Sequence, residues 1–132
     1  MALGLAACSD GKVSTSANAK PSEVRFLKLP LDAKNVRYWD HWHNRIAVFE
    51  TTEGAFRAMF PEISFSEMTD GSGTSYYVNG FGDPSLSPWI GNSLSKSTSS
   101  GLIYQKIEGN GGGETILYDR TTKTGYYEFA AW

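Results

Sequence analysis

The sequence contains little cysteine, no excess of positive charge and no long hydrophobic run. One cysteine in 132 residues excludes an internal disulfide framework and any zinc site built from several cysteines. Twelve Lys and Arg against 14 Asp and Glu give a formal charge of −2, which argues against a general nucleic-acid binder. No run of about 18 apolar residues is present, which excludes a membrane-spanning helix inside the domain. With 40% hydrophobic residues, the chain suits one globular domain.

The N-terminal residues 1–8 carry the most informative pattern. A short apolar run ends in Leu5-Ala6-Ala7-Cys8, and small residues after such a run are typical of a secretory cleavage site. Leu-Ala-Ala-Cys resembles the lipobox of bacterial lipoproteins, in which the signal is cut before the cysteine and the thiol is lipidated. The resemblance implies that Cys8 carries a lipid; the alternative is an unstructured N-terminus with an inert cysteine. The residue after the cysteine, Ser9, implies sorting to the outer membrane of a Gram-negative cell.

The segment that follows the cysteine, residues 9–22, is small, polar and nearly free of large apolar side chains. It has too little apolar surface to bury, so it is predicted to be a flexible tether. The folded domain is predicted over 23–132. A lipid site followed by a tether and then a domain is the order expected of a lipid-anchored protein.

The first half of the domain predicts a hairpin and a helix. Aromatic and β-branched residues over 35–43 and 45–50 indicate two strands that turn at Asn44. Thr51 or Thr52 is expected to cap a helix that ends at Pro61. Its apolar side chains at i, i+3 and i+4 share one face, which must pack on a sheet; they are Phe56, Met59 and Phe60.

The second half is dominated by strand patterns. Strands are expected at 63–66 and 75–79, and the Ser-rich run 93–100 is expected to be a mobile loop. Three alternating runs at 102–108, 114–119 and 126–132 predict a C-terminal β-meander. The predicted fold class is α+β, an antiparallel sheet of about five to six strands with one short packed helix.

The order of these motifs resembles that of small bacterial lipoproteins of uncharacterised function. The resemblance rests on four features of the sequence. These are the predicted tether, Pro88-Trp89, the final hairpin over 118–127 and the segment Leu29-Pro30-Leu31-Asp32-Ala33-Lys34-Asn35-Val36. The resemblance implies a location in the cell envelope and an architecture, and it transfers no catalytic residue.

His41 and His43 are the candidate metal ligands. Residues i and i+2 of a strand point to the same face, so two imidazoles there could bind one transition-metal ion. Asp40 would point to the opposite face, while Glu50 could face the pair across the hairpin. The alternative is two half-exposed histidines that bind nothing.

Aromatic residues make up 14% of the chain and lie in clusters. Neighbours on a strand point in opposite directions, so part of each cluster should face away from the core. Tyr38, Trp42 and Tyr126 are the candidate surface for a ligand or partner.

No motif supports an enzyme. The chain has no Gly-x-Ser-x-Gly nucleophile elbow, and the glycine-rich run 109–113 lacks the Lys-Ser/Thr of a phosphate-binding loop. The first hypothesis is a lipid-anchored, periplasm-facing domain that binds an envelope protein or glycan, with no cofactor and no nucleic acid. The second is a metal- or small-ligand-binding module at His41 and His43, and a small hydrolase is the third.

Overall fold

The computed structural model describes residues 11–13, 19–41, 44–68, 75–79, 93–97, 100–109 and 112–130. The described elements, in chain order, are β1 (Gly11–Val13), a 3₁₀ turn (Pro21–Glu23), β2 (Lys34–His41), β3 (Asn44–Glu50), α1 (Glu53–Met59), β4 (Ser66–Met68), β5 (Ser75–Asn79), β6 (Ser93–Ser97), β7 (Gly101–Ile107), β8 (Gly113–Asp119) and β9 (Thr124–Ala130).

Seven of these strands form one antiparallel sheet in the order β1-β2-β3-β9-β8-β7-β4, and β5 pairs with β6 in a separate two-stranded ladder. The β2–β3 hairpin and the β7–β8–β9 meander were both predicted, and the α+β fold class is confirmed. The last strand, β9, lies between β3 and β8, so it joins the N-terminal hairpin to the rest of the meander.

The single α-helix of the described chain packs on one face of the sheet, here called the helix face. Thr52 caps it, since its Oγ1 accepts a hydrogen bond from the Ala55 amide at 3.1 Å. Phe56 is fully buried, and its ring centroid lies 5.0 Å from that of Tyr118 and 5.4 Å from that of Phe60. The predicted cap and apolar face are therefore confirmed.

The sheet is buried on both faces along its middle strands. In β3, Ala47 and Phe49 belong to the core of the helix face, while Ile46 and Val48 belong to a second core on the opposite face. All four are at most 1% exposed. A continuous apolar run is typical of a strand that is covered on both sides.

Arg120, in the turn between β8 and β9, links the start of α1 to the edge strand β4. Its Nε and Nη2 donate to the two carboxylate oxygens of Glu53 at 2.6 and 2.9 Å, and Nη2 also lies 3.0 Å from the Glu67 carboxylate. Two parallel hydrogen bonds to one carboxylate fix both position and orientation. The guanidinium of Arg120 lowers the pKa of Glu53, chiefly through these hydrogen bonds.

Three expectations from the sequence differ from the structure. The segment predicted as a flexible tether, 9–22, contributes β1, which pairs with β2, and Ala19, which is buried and bridges Val36. The unpaired backbone of an edge strand accepts almost any extended partner, so a short strand without an alternating pattern suffices. The expected loop at 93–100 contains β6, which pairs with β5, and the strand expected at 63–66 begins only at Ser66, in β4.

Candidate binding site

The segment between the 3₁₀ turn and β2 covers the helix face without forming a strand. Val24, Leu29 and Ala33 are buried in the core, which fixes the segment to the sheet at intervals. The 3₁₀ turn is stabilised by Glu23, whose Oε2 accepts a hydrogen bond from the Lys20 amide at 2.8 Å. Between these buried points, Phe26 and Leu27 are half-buried against the same core, whereas Arg25, Lys28 and Leu31 are exposed.

Leu31 is the most exposed large apolar side chain described, at 92%. The Ala33 amide donates to the Pro30 carbonyl oxygen at 3.1 Å, so residues 30–33 form a tight turn with Leu31 and Asp32 at its corner. Burial of Leu29 and Ala33 on either side holds this turn against the domain. An exposed leucine on a fixed turn is available to a partner at a small cost in conformational entropy.

Two open cavities flank Leu31, and we call Leu31 with these cavities the Leu31 site. One has a volume of about 450 Å³ and lies between the turn and α1, and the other, of about 370 Å³, lies between the turn and the 3₁₀ helix. Their lining is mostly aliphatic: Lys28, Leu29, Pro30, Leu31, Ala55, Ala58 and Met59 in the first, and Pro21, Ser22, Val24, Arg25, Leu27, Lys28, Leu29 and Leu31 in the second.

The Leu31 site carries positive charge in a chain that is negative overall. Residues 20–34 include four basic residues and two acids, a local charge of +2 against −2 for the whole chain. Arg25, Lys28 and Lys34 are all exposed. An apolar centre with a basic rim is complementary to an apolar segment flanked by acidic residues.

The structure changes the interpretation of the aromatic candidates. Tyr38 is 3% exposed on the helix face and Tyr126 is 8% exposed on the opposite face, so the expectation that they are surface residues is wrong. Strand alternation does direct Tyr126 and Tyr127 to opposite faces, but both faces are covered. Burial also raises the pKa of the Tyr38 hydroxyl. Trp42, the third candidate, lies outside the described residues.

The metal hypothesis loses one of its proposed ligands. Glu50 pairs with Lys34 at the far end of the hairpin from His41, and its carboxylate accepts a hydrogen bond from Asn35 at 2.7 Å. Asp40 forms an ion pair with Arg45 at 3.3 Å. Within the described ranges no three His, Cys, Asp or Glu side chains converge. His41 ends β2, whereas its side chain and all of His43 lie outside the description, so a site there stays a prediction.

Cys8 also lies outside the described residues, and its lipidation stays a prediction. In the part of the chain that the structure describes, no helix is long and apolar enough to cross a bilayer.

Leu31 was not among the site residues predicted from the sequence, although Pro30-Leu31-Asp32 indicates an apolar residue held in a turn.

No protein-family model, curated protein or solved structure matches this chain.

Proposed function

We propose that this protein is a lipid-anchored domain of the bacterial cell envelope, facing the periplasm, with a binding or assembly role and no catalysis. The observation that carries the proposal is the sequence Leu5-Ala6-Ala7-Cys8, which places the only cysteine of the chain at the end of an apolar leader. Small side chains before the thiol suit a peptidase, and the thiol accepts the lipid.

The Leu31 site supports the binding role. Leu31 is held on a fixed turn, an open cavity lies on each side of it, and the exposed basic residues Arg25 and Lys28 line these cavities. None of the lining residues is aromatic, so the site lacks the flat rings on which a sugar could stack. The partner proposed for it is therefore an envelope protein that presents an apolar side chain beside acidic residues.

Metabolic labelling tests the anchor. Cells that express the full chain are fed an alkyne fatty acid, and the protein is then coupled to an azide dye. We expect the wild type and Ser16→Ala to be labelled and to fractionate with membranes, whereas Cys8→Ala loses both properties. Equal labelling of Cys8→Ala, or an unlabelled wild type, contradicts the proposal.

Membrane sorting is tested separately at Ser9. If Ser9 directs the lipoprotein to the outer membrane, Ser9→Asp is expected to move the labelled protein to the inner-membrane fraction, while Ser14→Asp leaves it in place. An unchanged distribution for Ser9→Asp shows that position 9 does not determine sorting.

Photocrosslinking tests the Leu31 site. A benzoylphenylalanine at position 31 is expected to form an adduct with one envelope protein in intact cells, and the adduct is identified by mass spectrometry. Charge reversal by Arg25→Glu and Lys28→Glu should reduce that adduct severalfold, because both side chains line the site. The control places the same photoreactive residue at Ile107, which is 72% exposed. A matching protein adduct from Ile107, or one unaffected by charge reversal, argues against the site.

A further inference from the structure

One end of the seven-stranded sheet is formed by a single row of paired residues. Gly11 pairs with His41, His41 with Asn44, Asn44 with Ala130, Ala130 with Gly113, and Gly113 with Ile107. We call this row the Ile107 end. It includes the first residue of β1 and the turn side of both the β2–β3 and β7–β8 hairpins.

The length of the chain between Cys8 and Gly11 limits the distance that can separate the Cys8 thiol from this end. Only Ser9 and Asp10 separate Cys8 from Gly11, and three Cα–Cα steps span at most about 11 Å. The pairing of β1 with β2 holds Gly11 on the domain. A lipid on Cys8 therefore acts on the Ile107 end through a very short connection.

Among the described residues at this end, Ile107 is the exposed large apolar side chain. It is the last residue of β7, is 72% exposed, and is followed by a hairpin that closes with a Glu108 amide to Gly112 oxygen bond of 2.7 Å. The nearby Lys106 and Glu108 form an ion pair at 3.7 Å, so their charges offset one another. An isolated apolar side chain beside a balanced pair of charges is compatible with the headgroup boundary of a bilayer.

We propose that the Ile107 end rests against the bilayer and that Ile107 contacts it, so that the Leu31 site faces away from the membrane. The inference rests on acylation of Cys8 as proposed above. Leu31 lies three residues before Lys34, at the opposite end of β2 from His41. The seven residues of β3 place the two ends about 20 Å apart. The anchor then sets which part of the domain can reach a partner.

Paramagnetic broadening of methyl signals tests this orientation. The full chain is coupled through the Cys8 thiol to a maleimide lipid in phosphatidylcholine nanodiscs that contain a gadolinium-chelate lipid. Ile107 and Leu31 both carry exposed methyl groups, so one sample, labelled at Ile and Leu methyls, reports on both ends. Ile107→Val and Leu31→Val assign the two signals. The same nanodiscs without gadolinium give the reference linewidths.

We expect at least about tenfold stronger broadening at Ile107 than at Leu31, because the two ends differ by the length of a strand. Equal broadening, or stronger broadening at Leu31, overturns the orientation. Acylation in cells is measured independently by the alkyne label, so a failure of the anchor and a failure of the orientation give different results. A domain that is acylated but has Leu31 nearest the bilayer would refute this inference alone.

Discussion

Gly125 lies beneath two phenylalanine rings on the helix face. A Cβ atom at this position would be 2.9 Å from atoms of both Phe49 and Phe56, and both rings are fully buried. Protein interiors are close-packed, so the rings have little space into which they could move. The absence of a side chain at residue 125 therefore allows α1 to approach β9.

Replacing Gly125 with alanine is expected to destabilise the domain. The added methyl group overpacks the aromatic cluster, and such changes usually lower the free energy of unfolding by about 1–3 kcal/mol. The matched control is Gly54→Ala, because no atom lies within 4 Å of a Cβ there and Gly54 is in α1. Urea unfolding followed by tryptophan fluorescence measures both variants. Equal stability of the two variants would show that the rings can repack.

Side-chain exposure was the least predictable property at this scale. The sequence favoured Tyr38 and Tyr126 as surface residues, and both are buried because each face of the sheet is covered. Leu31 is exposed although its neighbours Leu29 and Ala33 are buried. The alternation of side chains along a strand determines to which face of the sheet each one points. Whether that face is exposed to solvent depends on packing partners from distant parts of the chain.

At the scale of elements, the side chain of Arg120 connects three parts of the fold through hydrogen bonds and ion pairs. Its guanidinium bonds Glu53 at the start of α1, Glu67 in β4 and the Ser100 hydroxyl before β7. Glu53 also lies in the first turn of the helix, where negative charge is favourable. The ionised form of Glu53 is therefore the one that stabilises this corner of the domain.

We expect stability to depend on the charge of Glu53 below neutral pH. The pKa of Glu53 is lowered from its usual value of 4.5, so its contribution is complete above that pH and is lost as the pH falls through the lowered pKa. Glu53→Gln should cost about 1 kcal/mol at pH 7 and progressively less below about pH 4.5. Thermal unfolding between pH 3 and 7 checks this, with the exposed Glu62→Gln as control. A constant deficit across that range would contradict the role of the charge.

Elements formed by residues close together in the sequence were predicted, whereas the pairing of strands that are far apart in the sequence was not. The cap at Thr52, the apolar face of α1 and the two hairpins each depend on residues less than 20 positions apart, and each was predicted correctly. The strands β1 and β6 were expected to be tether and loop. β1 is only three residues long and β6 is mostly serine, so neither stands out in the sequence, and each is a strand because another strand pairs with its backbone.

At the scale of the whole molecule, the order of the strands determines what holds the sheet together. Among the strands that the structure describes, β1, β2 and β3 are joined to the C-terminal strands through β9 alone. Residues 44–50 therefore pair with residues 124–130, about 80 positions later. A separation of that size has no local sequence pattern, which is why the neighbour of β3 could not be predicted.

Removal of residues 124–132 is expected to abolish the cooperative fold. Without β9, both β3 and β8 lose a neighbouring strand, and Tyr127 and Tyr126 are lost from the two cores. The matched control deletes nine residues at the other end, 1–9, and should leave a sigmoidal thermal transition. Circular dichroism and urea unfolding compare the two deletions. A cooperative transition in the chain that ends at Lys123 would show that the two halves fold independently.

The central place of β9 also affects the order in which the chain can fold during synthesis. A ribosome delivers residues in order, and β9, which lies in the middle of this sheet, is made after all the other described strands. The nascent polypeptide therefore remains without its complete core until β9 has been synthesised. A chain in that condition can still be threaded through a narrow channel, which a finished sheet could not pass.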